Sequence, residues 1–387
     1  MVLKIASRSD ISPFIVMDVM RSANAREASG KDVLHLEVGQ PSTPAPKSVI
    51  EAAKLGLDEE LLGYTDALGI PLLRQRLSDH YKAYYNLRIP SERIIVTTGS
   101  SGAFILGFLA VFEPGDKVGI SSPGYPAYKN ILRTVGVEVI EVSVNEDTAF
   151  QPSVEILSNL DVSLDGLIIA SPSNPTGSML SVASLSEICS WCSAQKVRLI
   201  SDEIYHGITF QRKASSALHY SEDAVIVNSF SKYFSMTGWR LGWMVVPDNL
   251  IRTIECLAQN LFISPPTLSQ LAAVSAFDCF DELDSNVERY ARNRSILLTE
   301  LPKAGFEKLA PSDGAFYLYA DVSSLTSNSE TFCARILEEA GVAITPGIDF
   351  DTQYGKNFVR FSYAGETAVM VEASSRLRKL FLNSSPR

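Results

Sequence analysis

The chain has 387 residues, of which 46% are apolar and 20% are charged, and its formal net charge is −10. This length exceeds one typical domain and predicts one large and one small domain. The acidic balance argues against nucleic acid and anionic membranes as partners, since both are recognised largely through their phosphates. The first ten residues, MVLKIASRSD, are too charged for a secretory signal, and no apolar run approaches the length of a bilayer, which predicts a cytoplasmic protein.

The cysteines are odd in number, which is typical of reduced thiols in a long chain; they are Cys189, Cys192, Cys256, Cys279 and Cys333. Cys189 and Cys192 form a C-x-x-C pair in a helix-like stretch, LSEICSWCSA, with no second pair and no histidine nearby. We therefore expect two thiols on one face of a helix rather than a zinc or redox site, and we predict no metal.

The first sixty residues are expected to contain an arm, a strand and a helix. One helix is predicted over residues 13–28 and a short alternating strand over 33–38, which leads into Gly39-Gln40-Pro41. A glycine there allows a close approach of two backbones or simply a turn. A second helix is expected over residues 47–62, followed by Tyr64, which taken alone is an ordinary packing residue.

Beyond residue 94, apolar runs alternate with helical segments, the pattern of a parallel sheet with crossover helices. Five runs cover residues 94–97, 118–121, 167–170, 197–201 and 225–229, and a further strand is expected over 242–246. Each of the five runs leads into a polar motif. The carboxyl ends of parallel strands share one edge of a sheet, so a binding crevice is expected there.

The motifs after the first three runs each have a plain structural alternative. Gly99-Ser100-Ser101-Gly102 opens an apolar helix and offers backbone N–H groups to an anion, but the same residues suit a capped helix start. Tyr125, in SPGYPAY, suits stacking on a planar ring or plain packing. Asn174, in SPSNPTG, belongs to a motif that is a strong turn by itself.

The fourth run leads into Asp202-Glu203-Ile204-Tyr205. A carboxylate at the end of a buried strand is costly unless a cation or a hydrogen-bond donor is paired with it. A protonated ring nitrogen would be such a partner for Asp202, whereas Glu203 is expected to have a structural role.

The fifth run leads into SFSKYFSMTGWRLG, residues 229–242. The hydroxyls of Ser229 and Ser231 and the guanidinium of Arg240 can hold a phosphate, and the amine of Lys232 lies beside whatever carries it. A phosphate-bearing aldehyde that forms a Schiff base with lysine is pyridoxal phosphate. An S-x-S-K segment taken alone would instead be read as a surface turn.

The C-terminal part has the pattern of an α+β domain. After a long helical stretch from residue 248 to about 301, strands are expected over 306–309, 314–320, 342–345 and 358–363, around a helix over 329–340. This part contains PGIDF, residues 346–350, and Arg360 in NFVRFSYA. A strand arginine is by default a surface ion pair, but its fork also matches a carboxylate.

These motifs occur together in one order: G-Q-P, Y-x-x-x-x-G, G-S-S-G, S-P-S-N-P-T-G, D-E-I-Y and S-F-S-K-x7-R. In this the chain resembles the class I aminotransferases of fold type I, which are aspartate aminotransferase-like, from about Ser12 to Tyr363. The resemblance implies an α/β fold with a large domain, whose mostly parallel seven-stranded sheet is sandwiched by helices, and a small α+β domain. We place an N-terminal arm at residues 1–30, the large domain at 31–280, with 31–45 contributing to the small-domain side, and the small domain at 281–387.

The resemblance also implies an activity, a cofactor and a set of site residues. The activity is transfer of the amino group of an L-amino acid to a 2-oxo acid by a ping-pong mechanism, with Lys232 as the Schiff-base lysine of pyridoxal 5'-phosphate and Lys232, Asp202 and Tyr205 as catalytic residues. Cofactor contacts are implied at Ser100, Ser101, Gly102, Tyr125, Asn174, Asp202, Tyr205, Ser229, Ser231, Lys232 and Arg240. Tyr64 would reach the phosphate of the neighbouring subunit in a homodimer, and the substrate carboxylate is assigned to Gly39, Asn174 and Arg360.

Some alternatives stay open at this point. The same lysine chemistry serves C–S lyases and aminocyclopropane-carboxylate synthases, and a non-catalytic domain that binds the cofactor or an amino acid belongs to another class. The physiological donor is also open, because residues 253–288 hold no lysine or arginine and Phe14, Ile15 and Val16 are apolar. This weakens an aspartate-specific reading and leaves alanine, branched or aromatic donors, although Arg21, Arg26 or Lys129 could still supply a cation for a second carboxylate.

Overall fold

The computed structural model describes residues 3–382 of the chain. Its strands, in chain order, are β1 (Leu34–His35), β2 (Ile94–Thr97), β3 (Lys117–Ser122), β4 (Glu138–Ser143), β5 (Gly166–Ala170), β6 (Arg198–Asp202), β7 (Val225–Ser229), β8 (Gly242–Val245), β9 (Lys308–Leu309), β10 (Tyr317–Asp321), β11 (Val342–Ala343), β12 (Thr345–Pro346) and β13 (Phe358–Ser362). Its α-helices are α1 (Ile15–Ala28), α2 (Lys47–Glu59), α3 (Pro71–Tyr85), α4 (Gly99–Val111), α5 (Pro126–Thr134), α6 (Val154–Ser158), α7 (Val182–Gln195), α8 (Asp248–Leu261), α9 (Thr267–Val274), α10 (Phe280–Glu300), α11 (Ser329–Ala340) and α12 (Thr367–Leu382).

Seven strands form the large sheet, in the order β2-β8-β7-β6-β5-β3-β4. Only β8 runs antiparallel to its neighbours, β2 and β7. The predicted mostly parallel seven-stranded sheet is therefore confirmed. All residues of β2 and β7 are buried, as expected for β-branched runs covered on both faces.

Helices cover both faces of this sheet, and the alternation along β7 shows it. Val225 and Val227 belong to an apolar cluster with Phe104 of α4 and Ile254 of α8. Ile226, between them, belongs to the cluster on the opposite face, which contains residues of α3 and α7. This alternation with a period of two places one helical layer on each face.

A four-stranded antiparallel sheet, in the order β12-β13-β10-β9, lies in the C-terminal part, together with α11 and α12. The short strand β1 pairs in parallel with β11, so residues near the N-terminus join the C-terminal part. The predicted small α+β domain is thus present as an architecture, while the residue limits of the domains stay a prediction.

Two expectations on single elements need correction. The strand expected over residues 33–38 is limited to Leu34–His35, because the chain then turns toward the C-terminal sheet, where Thr345 donates to the carbonyl of Glu37 at 2.9 Å. The long helical stretch after residue 247 is divided into α8, α9 and α10, and the first break lies at Ser264-Pro265-Pro266, where proline cannot continue a helix.

The five cysteines are free, and Cys189 and Cys192 are buried on α7. Among residues 3–382 no group of three or more histidine, cysteine, aspartate or glutamate side chains is placed to hold a metal ion. Within the same residues, no helix has both the length and the apolar content that a membrane span requires.

Candidate active site

A cavity of about 480 Å³ lies at the carboxyl ends of β5, β6 and β7, between the large sheet and the C-terminal sheet. Its walls include most residues that the sequence singled out: Gly39, Ser100, Ser101, Tyr125, Asn174, Asp202, Tyr205, Ser231, Lys232, Arg240 and Arg360. These residues come from seven separate stretches of the chain. The expected crevice at this edge of the sheet is therefore present.

Lys232 follows β7 by three residues, and its side chain lies in the cavity. Its Nζ donates to the carbonyl oxygen of Gly39 at 2.7 Å. Burial, and then the positive charges of Arg360 and Arg240, lower the pKa of Lys232 to about 8, whereas the charge of Asp202 opposes the shift. An amine with a pKa near 8 has an appreciable neutral fraction near pH 7 and can act as a nucleophile or a base.

Gly39 has to be a glycine in this arrangement. A Cβ atom placed on it would lie 1.8 Å from Oη of Tyr317, far inside van der Waals contact. The absence of a side chain lets the backbone carbonyl reach Lys232 while Tyr317 packs behind it.

A cluster of hydroxyls and one guanidinium lies at the start of α4. Ser100 and Ser101 lie in the first turn of this helix, where backbone N–H groups lack intrahelical partners. Ser229 donates to Oγ of Ser231 at 2.9 Å, which fixes that hydroxyl beside the helix. Nη2 of Arg240 would lie 2.7 Å from a Cβ atom on Gly99, which has φ +69°, so the guanidinium packs directly on the helix start. Such a cluster suits a phosphate-sized anion.

Asp202 ends β6 and is only 4% exposed. Its Oδ1 accepts from the backbone N–H of Ile204 at 3.1 Å, and its Oδ2 accepts from the hydroxyl of Tyr128. Burial raises the pKa of Asp202 to about 6, although both hydrogen bonds and the charge of Lys232 oppose the rise. A carboxylate in this position favours a cationic partner in the cavity.

Glu203, next to Asp202, points into the protein and has a structural role, as expected. Its Oε1 accepts from the backbone N–H of Ala217 at 2.9 Å and from the hydroxyls of Ser216 and Ser201 at 3.0 and 3.2 Å. Burial raises the pKa of Glu203 to about 8.

Two tyrosines from different parts of the chain are joined beside Lys232. The hydroxyls of Tyr205 and Tyr317 lie 2.7 Å apart, and Nζ of Lys232 lies 6.0 Å from the centre of the Tyr205 ring. Tyr125 lines the same cavity, and its ring contacts that of Tyr128 edge to face, with the centres 5.2 Å apart. The walls thus offer aromatic faces and phenolic hydroxyls to a planar ligand.

Arg360 lies on β13 and is only 2% exposed, so it is not the surface ion pair that is the default for a strand arginine. Its Nη1 donates to Oδ1 of Asn174 at 2.8 Å, and its Nη2 donates to the carbonyl of Glu37. The guanidinium carbon lies 4.4 and 4.7 Å from the ring centres of Tyr317 and Phe350. Its Nε has no hydrogen-bond partner within residues 3–382, so a buried donor is left for a ligand.

Three predicted site residues do not line this cavity. Gly102 is buried inside α4, and Ser229 lies behind Ser231. Tyr64 is 83% exposed on the surface of this subunit, so its expected role depends on a second copy of the chain.

The comparisons with known proteins agree with this geometry. The sequence profile of the family "Aminotransferase class I and II" matches residues 31–377. The valine–pyruvate aminotransferase of Mycobacterium tuberculosis is 49% identical over 378 residues, which are 97% of each chain. The chain belongs to the class I and II aminotransferases.

Solved structures of this family superpose on nearly the whole chain. An aminotransferase from Mycobacterium tuberculosis gives a TM-score of 0.97 at 48% identity, with 99% of this chain and 100% of that chain covered. The aspartate aminotransferase of Thermus thermophilus, solved with maleate, gives 0.92 at 29% identity, with 98% and 100% covered. The inferred family and fold type are thereby confirmed, and the protein is a transaminase.

Sequence reasoning missed several residues that shape this aminotransferase site. Tyr317 contacts Gly39, Tyr205 and Arg360, but its local sequence, YLYAD, reads only as a strand. Tyr128, whose hydroxyl donates to Asp202, follows Tyr125 by three residues, and this spacing is the signal in the sequence that both face the same side. Met17 and Met20 of α1 also line the cavity.

Proposed function

We propose that the protein is a pyridoxal-phosphate-dependent amino-acid aminotransferase in which Lys232 carries the cofactor. The observation that supports this most directly is the convergence, in one cavity, of the Lys232 amine, the buried Asp202 carboxylate and the serine–arginine cluster. An amine can bond to the aldehyde, a carboxylate can pair with the protonated ring nitrogen, and the cluster can bind the phosphate. The residues present therefore fit this cofactor.

The contacts assigned to single residues are those that the resemblance to the class I aminotransferases implies, and the chemistry of each donor set agrees with them. The phosphate is assigned to the start of α4 and to the lysine loop, through Ser100, Ser101, Gly102, Ser229, Ser231 and Arg240. The ring is assigned to Asp202 at its nitrogen, to Asn174 and Tyr205 at its oxygen and to Tyr125 at its face. Gly39, Asn174 and Arg360 are assigned to the α-carboxylate of the substrate.

When bound, the cofactor supplies an electron sink that stabilises negative charge at the substrate α-carbon. Arg360 holds the α-carboxylate through its planar fork and is itself held by Asn174 and by the two aromatic rings. Lys232 removes the α-proton and returns a proton as general acid, since the lowered pKa of its amine suits both directions. Because the enzyme would keep the amino group of the donor between the two half-reactions, the 2-oxo acid formed from the donor leaves before the acceptor 2-oxo acid enters.

The donor is proposed to be an amino acid with an apolar side chain, with valine as the first to test and pyruvate as the first acceptor. The part of the cavity beside α1 is lined by Phe14, Val16, Met17 and Met20. The relative that is 49% identical is named for valine and pyruvate.

The three cations considered for a second carboxylate are all engaged elsewhere, and none lines this cavity. Arg21 pairs with Asp18 at 2.9 Å, Arg26 pairs with Glu338 at 2.7 Å, and Lys129 pairs with Glu141. A dicarboxylic donor would thus lack a free cation among these three, which supports an apolar donor.

We further propose a homodimer with shared active sites, located in the cytoplasm. Tyr64 is 83% exposed and Leu61 is 96% exposed, in the segment between α2 and α3. Exposed apolar and aromatic residues in one segment are typical of a contact surface. In the dimer, Tyr64 of each subunit is assigned to the cofactor phosphate of the other.

The test is the absorption spectrum of the purified holoenzyme before and after addition of single L-amino acids. The proposed function predicts conversion of the cofactor from its aldehyde to its amine form with valine and related donors, and reversal by pyruvate. Accumulation of pyruvate and ammonia from a β-thio amino acid, without any acceptor, would instead identify a C–S lyase. Absence of any lysine-bound cofactor signal with Lys232 intact would contradict the proposal.

A further inference from the structure

The first turn of α1 is held by a carboxylate from the other end of the chain. Backbone N–H groups of Ile15 and Val16 donate to Oδ1 and Oδ2 of Asp349 at 2.9 and 3.1 Å. Asp349 is buried, with 9% exposure, and lies in the short turn after β12. Both of its oxygens are therefore engaged with α1.

Helix α1 has no N-terminal cap of its own. The residue at its N-cap is Phe14, whose side chain accepts no hydrogen bond. Residues that cap helices well offer an oxygen to the free N–H groups of the first turn, and a negative charge there also interacts favourably with the helix dipole. Asp349 supplies both from a distant part of the sequence.

The first turn of α1, which Asp349 holds, forms one wall of the active-site cavity. Phe14, Val16, Met17 and Met20 face the cavity that contains Lys232. Ile15, between them, lines a separate cavity of about 230 Å³ together with Asp349. The start of α1 thus separates two cavities, and the two hydrogen bonds to Asp349 hold its backbone between them.

Asp349 is also connected to the residue that is assigned to the substrate carboxylate. Thr345 of β12 is paired with Arg360 of β13, and Oγ1 of Thr345 lies 3.4 Å from Nη2 of Arg360. Phe350, next to Asp349, lies against the guanidinium of Arg360. The short turn after β12 therefore connects Arg360, which is assigned to the substrate carboxylate, with the apolar wall at the start of α1, and it fixes the distance between them.

We propose that Asp349 is a positioning residue that determines side-chain specificity in this aminotransferase. By fixing the start of α1, it holds the apolar wall at the distance from Arg360 that suits a branched aliphatic side chain such as that of valine. This inference rests on the proposed function. Loss of the two hydrogen bonds releases the wall, so a branched donor loses its contacts, while alanine, which reaches little of the wall, is affected less.

The test compares the first half-reaction of alanine and of valine in wild type, Asp349→Ala and Asp349→Asn holoenzymes. Asp349→Ala should lower kcat/KM for valine about tenfold or more and that for alanine less than about threefold, mainly through KM. Asp349→Asn keeps one acceptor oxygen, so its ratio of kcat/KM for valine to kcat/KM for alanine should lie between those of wild type and Asp349→Ala. An equal loss for both donors, or an unchanged ratio, would overturn the proposal.

Asp351 offers a matched control in the same turn. Its Oδ1 accepts from the backbone N–H groups of Gln353 and Tyr354 at 2.8 and 3.0 Å, and it lines neither α1 nor the active-site cavity. Asp351→Ala should leave the valine-to-alanine ratio unchanged. A change of that ratio as large as in Asp349→Ala would assign the effect to the turn as a whole and refute the specific role.

A second measurement does not depend on activity. Limited proteolysis should cut residues 12–28 several times faster in Asp349→Ala than in wild type or Asp351→Ala, with the rest of the chain equally resistant. Equal cutting rates would overturn the proposed hold on α1. If wild type converts no amino acid at all, the proposed function itself fails, and the specificity claim fails with it; if wild type converts valine and the ratio does not change, only the role of Asp349 is refuted.

Discussion

At the scale of single residues, the surroundings of Arg360 make it more than a positive charge. Its planar group lies against two aromatic rings and donates to an amide and a carbonyl, while Nε has no hydrogen-bond partner in the part of the chain that the structure describes. A lysine carries the same charge but has neither the plane nor the fork. A comparison of arginine with lysine at position 360 therefore tests whether the substrate carboxylate is recognised by the shape of the side chain or by its charge alone.

Arg360→Lys should raise KM for the donor amino acid about ten- to a hundredfold, as expected from the loss of about 1.5–3 kcal/mol in hydrogen bonds to a charged group. Steady-state kinetics with valine and pyruvate measure this. Arg252→Lys, on the exposed surface of α8, serves as the control and should leave KM unchanged. A KM for Arg360→Lys within twofold of wild type would contradict the assigned contact.

The residues that the sequence identified share one property: each lies in a local motif. Lys232, Asn174 and Asp202 all lie within four residues of the end of an apolar run, so the edge of the sheet brings them together. Tyr317 and Asp349 could not be found in this way. Their partners, Gly39 and α1, are about three hundred residues away in sequence, and only the folded chain makes these contacts.

At the scale of elements, the turn at Gly39 is set by the close approach of β10. A Cβ atom at this position would overlap Oη of Tyr317, so the backbone or Tyr317 would have to move. Either movement also disturbs the acceptor for Lys232 or the hydroxyl pair with Tyr205.

Gly39→Ala should therefore destabilise the protein by about 1–3 kcal/mol, the usual cost of overpacking, and reduce kcat as well. Thermal unfolding and steady-state kinetics measure the two effects. Gly63→Ala is the control for stability, because a Cβ atom there would have nothing within 4 Å. Equal unfolding midpoints for the two variants would show that the site accommodates the methyl group.

Strand β1 contains a histidine whose charge depends on folding. Nδ1 of His35 lies 2.8 Å from Oε1 of the fully buried Glu37, and Nε2 lies 3.3 Å from Oε1 of Glu27. The hydrogen bond with Glu37, and then the charges of both glutamates, raise the pKa of His35 to about 9 in spite of partial burial. A raised pKa means that the folded state binds the proton more tightly than the unfolded state, so this stabilisation is complete below the unfolded pKa of 6.5 and is lost as the pH rises through 9.

The difference in the free energy of unfolding between wild type and His35→Asn should thus be largest at about pH 6 and should shrink toward zero above about pH 9. Urea denaturation at three pH values measures it. His219→Asn, at an exposed position outside this pair of contacts, is the matched control. A difference in the free energy of unfolding that stays constant from pH 6 to 9.5 would contradict the raised pKa of His35 in the folded state.

Elements were predictable where burial is uniform along the strand. The five apolar runs that the sequence indicated are strands of the large sheet, because a strand covered on both faces is apolar at nearly every position. Strand β4 was missed, since its sequence, EVIEVS, belongs to an edge strand that pairs only with β3 and exposes Glu138. The C-terminal helix α12 was also not predicted.

At the scale of the whole molecule, the proposed dimer makes each active site depend on two chains. Lys232 and Tyr64 would then serve the same site from different subunits. A hybrid dimer of a Lys232 variant and a Tyr64 variant would therefore keep one site with both residues intact, whereas a monomer could not combine them.

Mixing Lys232→Ala with Tyr64→Ala subunits, after mild denaturation and refolding together, should restore roughly a quarter of wild-type activity, since half of the random dimers are hybrids with one intact site. Each variant refolded alone serves as the control and should stay far below this value. Activity of the mixture equal to the mean of the two variants would refute the shared site.

The antiparallel strand β8 has a consequence for the order of assembly. β2, whose following helix carries Ser100 and Ser101, pairs in the large sheet only with β8, and these strands are separated by more than a hundred residues of sequence. Pairings over such distances form late, because loop closure must be paid for before any contact compensates it. We therefore expect the start of α4 and the lysine loop to remain apart during synthesis until β8 has emerged and inserted between β2 and β7. In the proposed site, retention of the cofactor would then report a completed sheet, and a chain that is arrested before β8 is made would lack the proposed phosphate site.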